Sequence, residues 1–226
     1  MSPCIVIPSY QAERSLAGVV SGLRAEGLDA PIVVVDDGST DATAEVARGL
    51  DVALVRHGYN RGKGAALRTG LAWAASEGFD AMLSVDADGQ HPAAAARRVL
   101  EADEDGALIL GVRDLVRAGA PRKNQISNGI SNFFLSWFSG ARLADTQCGL
   151  RRYPVGATRG LKARADGYAW EAEVVLRAVR AGLRVVELPV DVYYPPEHER
   201  VTHFDSVKDP ARIVAAVVRT MVTPRP

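Results

Sequence analysis

Ile32-Val-Val-Val35-Asp36-Asp37-Gly38-Ser39-Thr40-Asp41 holds a strand and a helix start in one short stretch. Four apolar residues in a row, all β-branched, suit a strand buried on both faces. The polar run after them ends in Thr40 and Asp41, either of which can cap a helix over 42–50. The same unit of strand, polar turn and helix recurs on both sides. Before it, Cys4-Ile-Val-Ile7 reads as a strand, followed by a helix over 13–26 with Leu16, Val19, Val20 and Leu23 on one face. After it come a strand at 52–55, a helix at 63–76, a strand at 81–85, a helix at 93–102 behind Pro92, and a fifth strand at 107–110. This rhythm predicts an α/β fold with a doubly wound, mostly parallel sheet flanked by helices.

The second half is irregular. Residues 115–124 are polar and carry Gly119 and Pro121, which reads as a loop. A helix is expected over 125–139, a strand over 148–153, a helix over 168–181 closed by Gly182, and a strand over 184–192 that ends at Tyr194-Pro195-Pro196. A last helix is expected over 209–221, with Pro210 in its first turn. No repeat, low-complexity segment or linker interrupts the chain, so one domain is expected over 1–226, with a change of character near 112–113.

Lys+Arg and Asp+Glu both number 27, so there is no basic excess of the kind that binding to nucleic acid requires. The 2 cysteines, Cys4 and Cys148, form neither a disulfide framework nor a zinc pattern. The first apolar run is too short for a signal peptide, and no apolar stretch reaches the ~18–20 residues needed to span a bilayer. A cytoplasmic protein is expected, with contact on the inner face of the membrane as a further option.

In an open α/β sheet, ligands bind beyond the carboxyl ends of the strands. All five strand ends of the first half are polar: Pro8-Ser9-Tyr10 with Glu13, Asp36-Asp37, Asn60-Arg61-Gly62-Lys63-Gly64, Asp86-Ala87-Asp88-Gly89-Gln90, and Gly111 with Arg113. Two carboxylates and an amide oxygen at alternate positions form a hard-oxygen set suited to Mg²⁺ or Mn²⁺. A lone Asp-x-Asp is more often a solvated turn; four other polar strand ends favour the metal reading. Asp36 or Asp37 can accept hydrogen bonds from a base or a ribose, and Tyr10 can stack on a base. Glycines 62 and 64 would let the backbone approach a ligand, with Lys63 or Arg61 near a diphosphate, or they form a plain turn. The spacing is not that of an NTPase P-loop.

Ile5-Val-Ile-Pro-Ser-Tyr10, Val35-Asp-Asp-Gly-Ser-Thr-Asp41, Asn60-x-Gly-Lys-Gly64, Asp86-x-Asp-x-Gln-His-Pro92, Gly111-Val-Arg113, Asp145-Thr-Gln-Cys-Gly149 and Trp170-Glu-Ala-Glu173 follow one another in order. Together they resemble the signature series of family 2 glycosyltransferases of the GT-A fold, nearest the dolichol- or polyprenyl-phosphate hexose synthases. The resemblance covers nearly the whole chain. It implies a nucleotide-sugar-binding half at 1–112 and an acceptor-side half at 113–226. It places Pro8, Tyr10, Glu13 and Asp37 on the nucleoside, and Asp86, Asp88 and Gln90 on the metal and diphosphate. Asp145 would face the sugar, and Arg113 and Arg122 the acceptor phosphate.

The implied chemistry is inverting transfer of a hexose from a UDP- or GDP-linked sugar. An acceptor phosphate is already an anion, whereas a hydroxyl acceptor needs a base. Glu171 and Glu173 are the carboxylates available, and two positions apart on a helix they point to different faces. The two arginines favour a lipid phosphate as acceptor; a sugar or alcohol hydroxyl is the alternative. Residues 133–138, rich in aromatics, read as core packing or as a face on a membrane surface. Ile213, Val214, Val217, Val218 and Met221 form a second stripe that can pack on the core, on a second copy or on a membrane. In similar enzymes a basic segment near Arg200 and His203 closes over the diphosphate; a surface loop is the plainer reading. His91 is expected to be structural. The rivals are a nucleotidyltransferase, which would carry a glycine-rich basic loop after the first strand, and a non-catalytic nucleotide-binding protein.

Overall fold

The computed structural model describes residues 1–194, 213 and 215–220. Seven strands form one sheet: β1 (Pro3–Ser9), β2 (Ile32–Asp36), β3 (Ala53–Arg56), β4 (Ala81–Ser84), β5 (Leu108–Arg113), β6 (Arg151–Pro154) and β7 (Val185–Val190). Seven helices connect them: α1 (Leu16–Ala25), α2 (Thr43–Arg48), α3 (Lys63–Ser76), α4 (Ala93–Leu100), α5 (Arg122–Ser139), α6 (Val155–Gly160) and α7 (Ala169–Arg180). The strand order is β3-β2-β1-β4-β6-β5-β7. β1, β2, β3 and β4 run parallel, as do β5 and β7, while β6 is antiparallel to both of its neighbours.

The strands are apolar throughout because each face carries its own core. Ile5, Ile7, Ile32, Val34 and Leu83 face α1, α2 and α4 through Leu16, Val20, Leu23, Ala47, Ala96 and Val99. The alternate residues Cys4, Val6, Val33, Val35 and Met82 face α3 and α7 through Leu67, Leu71, Ala74, Trp170 and Val174.

The chain reverses its winding between β1 and β4, the place where such sheets part to admit a ligand. Pro8 contributes to the parting. Ile5 donates to Pro31 O on the β2 side, so by alternation the nitrogen of Pro8 faces β4. The β1–β4 ladder has already ended at Val6–Ser84. A residue without an N–H therefore sits where no ladder bond is needed.

Two elements differ from expectation. α5 begins at Arg122, directly after Pro121, so the last three residues of the polar stretch read as loop over 115–124 are helical. Pro121 fixes the entry to the first turn, and polarity alone could not show it. α6 was not expected: it is short and follows Pro154 without a cap signal in the sequence. The last expected helix is represented by residues 213 and 215–220, which are helical; Ile213 and Val217 are buried and Val218 is exposed. Its remainder lies outside the described residues.

β6 carries two adjacent arginines, both buried. Arg151 donates to the carbonyls of Cys148 at 2.7 Å, Thr146 at 2.7 Å and Glu171 at 3.0 Å. Arg152 donates to the carbonyls of Leu100 at 2.7 Å, Ala102 at 2.8 Å and Glu104 at 2.7 Å. The second set closes the open carbonyl end of α4.

α3 lies close on the sheet at Gly70. A Cβ there would overlap Val6 Cγ1 and stand 3.0 Å from Cγ2. Gly70→Ala gains helix propensity of ~1 kcal/mol but overpacks β1 at a cost of ~1–3 kcal/mol, so net destabilisation is expected. At Gly129 in α5 nothing lies within 4 Å of an added Cβ, so Gly129→Ala should stabilise. Urea denaturation of the two variants, compared with wild type, checks the opposite signs.

Candidate active site

The site forms where the polar ends of β1, β2 and β4 meet the starts of α3 and α7. Its centre is Lys63, the first residue of α3. Lys63 Nζ lies 2.6 Å from Asp86 Oδ1, beyond β4, and 3.4 Å from Glu171 Oε2, in the first turn of α7. The ammonium also stands over the Tyr168 ring, 5.6 Å from its centre. Burial works to raise the Asp86 carboxyl, but the charge and hydrogen bond of Lys63 hold it below the usual carboxylate range.

Glycines make this approach possible. A Cβ on Gly149 would overlap Asp86 Oδ2 and lie 2.7 Å from Lys63 Nζ. A Cβ on Gly64 would lie 2.6 Å from Trp170 Cβ and 2.7 Å from Gly167 O, and one on Gly62 would lie 3.3 Å from Gly167 Cα. Glycines 62 and 64, read in the sequence as room for a ligand or as a plain turn, are required by backbone packing of α3 on the loop before α7. The basic residue next to them is the part that faces the site.

Asp88 folds back over its own turn and accepts from Gln90 N at 2.9 Å. Gln90 O in turn accepts from Tyr193 N at 2.7 Å, which ties the turn to the segment after β7. Asp88 keeps exposed surface at the mouth of the cleft. Even so, its carboxyl is pushed up to about 6, first by desolvation and then by the charge of Asp86. Asp86, Asp88 and the amide of Gln90 fit a divalent cation. They are hard oxygen donors in one turn, and a cation would relieve the repulsion that raises Asp88. No group of three or more His, Cys, Asp or Glu that could hold a metal is preassembled among the described residues. Water or substrate phosphate would have to complete the shell.

His91 is partly buried beside this turn, with Nε2 3.8 Å from Cys148 Sγ. Burial, aided by the charge of Arg113 against that of Asp86, lowers its imidazole to about 4, so it is neutral at pH 7. Burial pushes the Cys148 thiol up to about 12, which makes it an unreactive packing group.

Arg113, at the end of β5, is pinned by Asp145. Nε and Nη2 donate to the two oxygens of Asp145 at 2.7 and 3.0 Å, and Arg113 N donates at 3.1 Å. Asp145 also accepts from Gln147 N at 3.2 Å and is fully buried. Burial opposes both charges, yet each holds the other: the Asp145 carboxyl stays low and the Arg113 guanidinium stays charged. The Asp145 segment is gripped by α5. Gln147 Nε2 donates to Ser131 Oγ at 2.8 Å, and Asn132 Oδ1 accepts from Thr146 N at 2.8 Å.

The expected nucleoside side is organised around Gln11 and Asp37. Gln11, at φ 52°, donates its N–H to Ser39 Oγ at 3.0 Å and accepts from Asp41 N at 3.1 Å. Glu13 accepts from Ala42 N at 3.0 Å, and Asp41 Oδ1 accepts from Thr43 N at 3.1 Å, so these two carboxylates close the start of α2. Asp37 is buried and accepts from Arg61 N at 3.0 Å and Gly62 N at 2.7 Å; His57 Nδ1 lies 2.6 Å from it. Pro8 is buried in β1 and Tyr10 is partly exposed after it.

Of the expected residues, Lys63, Asp86 and Glu171 meet, and Arg113 meets Asp145. Asp86 and Asp88 both feel the charge of Arg113. Arg122 is exposed at the start of α5. Glu173 faces away from Glu171, accepting from Arg164 N at 2.7 Å, Ala165 N at 2.6 Å and Arg177 Nε at 2.6 Å. Arg200 and His203 lie outside the described residues. Gln11, His57, Gln147 and Arg151 were given no role from sequence. His57 had one signal, its place directly after β3. Gln11 had none, because its left-handed backbone is set by contacts with the β2–α2 turn.

The model of the family described as Glycosyl transferase family 2 matches residues 4–166. An undecaprenyl-phosphate mannosyltransferase of Micrococcus luteus is 28% identical over 201 residues, covering 82% of this chain and 81% of that protein. A UDP-N-acetylglucosamine–dolichyl-phosphate N-acetylglucosaminyltransferase of Methanococcus voltae is 28% identical over 216 residues, covering 84% and 85%. Among solved structures, glucosyl-3-phosphoglycerate synthase of Mycobacterium tuberculosis, in complex with Mn²⁺, uridine diphosphate and phosphoglyceric acid, superposes with a TM-score of 0.73 at 18% identity. The match covers 99% of this chain and 79% of that one. The architecture is the GT-A fold, and the family pattern runs through the strand ends that build the Lys63–Asp86 centre. The chain belongs to glycosyl transferase family 2.

Proposed function

We propose that the chain transfers a hexose from a nucleoside-diphosphate sugar to a lipid-linked phosphate, with inversion at the anomeric carbon. The observation that carries this reading is the Arg113–Asp145 pair. A guanidinium held along one edge by two hydrogen bonds to a fully buried carboxylate is a preorganised cation facing the Asp86–Asp88 turn. It can orient an anionic acceptor without a base. Both relatives described above are named for acceptors that are lipid phosphates.

Asp88 and Gln90, with Asp86, would hold Mg²⁺ or Mn²⁺, which when bound neutralises the departing diphosphate. Lys63 presents a fixed positive charge on the same side and keeps Asp86 ionised. Asp145 orients Arg113, and Glu171 orients Lys63. Arg122 extends the positive surface toward the acceptor. Pro8, Tyr10, Glu13 and Asp37 frame the nucleoside, with Glu13 and Asp37 acting through the loops they hold. Arg200 remains assigned to the diphosphate.

One observation favours a second reading, transfer to a hydroxyl. Glu171 Oε1 is buried without a hydrogen-bond partner and would be the base. Incubation with labelled UDP- and GDP-sugars separates the two readings. Label in polyprenyl phosphate is expected. Label only in hydroxyl acceptors, with lipid phosphate inert, overturns the first reading, and loss of hydroxyl transfer in Glu171→Gln with slow donor hydrolysis retained would support the second.

Arg113→Lys cannot keep the bidentate hold on Asp145, so transfer should fall by ~10²-fold. Slow donor hydrolysis without acceptor should persist. Parallel loss of both would refute an acceptor role for Arg113.

The pH dependence of Asp88 has a definite sign. Its folded value is raised to about 6, so the stability of the metal-free protein linked to Asp88 is full at low pH and declines as pH rises through about 6. Asp88→Asn should melt above wild type at about pH 7.5 and level with it at about pH 4. Mn²⁺ should raise the neutral-pH Tm of wild type and not that of the variant. Equal shifts in both proteins would remove Asp88 from the metal site.

A further inference from the structure

α5 has two faces of opposite character. Its buried face, with Ser127, Ser131 and Leu135, grips the Asp145 segment and the core. Its outer face carries Ile126, Ile130, Phe133 and Trp137 at helical spacing, exposed by 64%, 44%, 60% and 73%. Phe133 and Trp137 lie against each other, with ring centres 6.0 Å apart. Val116, on the preceding loop, is 75% exposed. Five large apolar side chains left in water on one segment mark a surface built for an apolar partner.

The charge around the stripe identifies the partner. From Leu115 to Ala144 there is no acidic residue, while Arg117, Arg122, Lys123 and Arg142 are basic, in a chain whose net charge is +0. All four are exposed, and none forms an ion pair among the described residues. A protein surface that met this face would have to supply matching acids; a bilayer with anionic headgroups supplies both the negative charge and the apolar depth. Trp and Phe beside Arg and Lys are the side chains that settle at such a boundary.

We infer that the outer face of α5, with Val116 beside it, docks on the surface of an anionic membrane. The helix lies in the interface and does not cross it: no helix among the described residues is long and apolar enough to span a bilayer. The opposite face of the same helix clamps the Asp145 segment, which pins Arg113, so docking would couple the membrane surface to the part of the cleft that holds Arg113. As a route for a lipid-linked acceptor, the inference rests on the lipid-phosphate reading; the chemistry of the surface stands apart from it.

The test is co-sedimentation of the full chain with phosphatidylcholine vesicles, with and without about 30% phosphatidylglycerol. Bromine-labelled lipid chains serve as a quencher of Trp137. Wild type should bind the anionic vesicles, release in high salt, and show quenching. Phe133→Ser combined with Trp137→Ser should lower partitioning by roughly tenfold or more. Lys123→Glu combined with Arg142→Glu should abolish the preference for anionic lipid while leaving the apolar stripe intact. Both double variants should keep the circular dichroism and the lipid-free donor hydrolysis of wild type. Failure of wild type to bind, or equal binding by all three proteins, overturns the proposal. So does a wild-type dimer in sedimentation velocity that Phe133→Ser with Trp137→Ser dissociates, because the stripe would then join two copies. If donor hydrolysis is absent from wild type, the glycosyl-transfer reading fails by itself; if hydrolysis is intact and vesicles are ignored, only the membrane inference fails.

Discussion

Lys63 and Asp86 meet at 2.6 Å in a place with little water, and much of the molecule is arranged to let them. The lysine arrives at the start of α3 and the aspartate at the end of β4, on neighbouring parts of the sheet. Gly149 has no side chain because any Cβ would displace the pair. Gly62 and Gly64 allow α3 to start against Gly167 and Trp170, which also sets where Glu171 enters from α7. Removing the lysine would leave two carboxylates, Asp86 and Glu171, without their shared cation, which costs more than the pair itself is favourable. The ion pair is thus best understood as a constraint on geometry. It fixes one helix start, one strand end and one helix face together, at the point where the sheet parts.

A second pair, Arg113 and Asp145, repeats the principle on the other side of the cleft. Here the fully buried carboxylate is an internal strut and the arginine is the partner that keeps some exposed surface. Asp88 differs from all of these carboxylates. Among the described residues it forms no ion pair, and its raised affinity for a proton reflects desolvation first and the charge of Asp86 second, which Lys63 and Arg113 only partly offset. Two pinned cations and a carboxylate with a raised proton affinity thus stand in one cleft.

The fold was legible because its signals are local. Ile32–Val35 followed by a polar turn could hardly be other than a buried strand feeding a helix, and the repetition of that unit gave the parallel part of the sheet. Asp86, Asp88, Lys63 and Arg113 could be picked out as candidates because strand ends are where such sheets bind ligands, and the fold does bring Lys63 to Asp86. What escaped depended on long-range partners. Arg151 and Arg152 look like surface residues in a sequence, and only the backbone carbonyls of distant segments explain why both are buried. Glycines 62 and 64 suggested a ligand, whereas their neighbour is Gly167, more than a hundred positions away. Gln11 gave no sign at all, since its left-handed backbone answers to the β2–α2 turn.

The Arg113–Asp145 clamp has one more consequence. Arg113 ends β5 and Asp145 stands shortly before β6, and those two strands are hydrogen-bonded neighbours. Everything from 114 to 144 is therefore a closed excursion whose two feet are fastened to each other by side chain and backbone alike. The entropy of closing such a loop grows only slowly with its length. Segments of different size could join those feet, provided that they still fill the core as Leu135 and Leu143 do. In engineering terms the excursion is a cassette, fastened at its feet and keyed to the core by a few buried side chains.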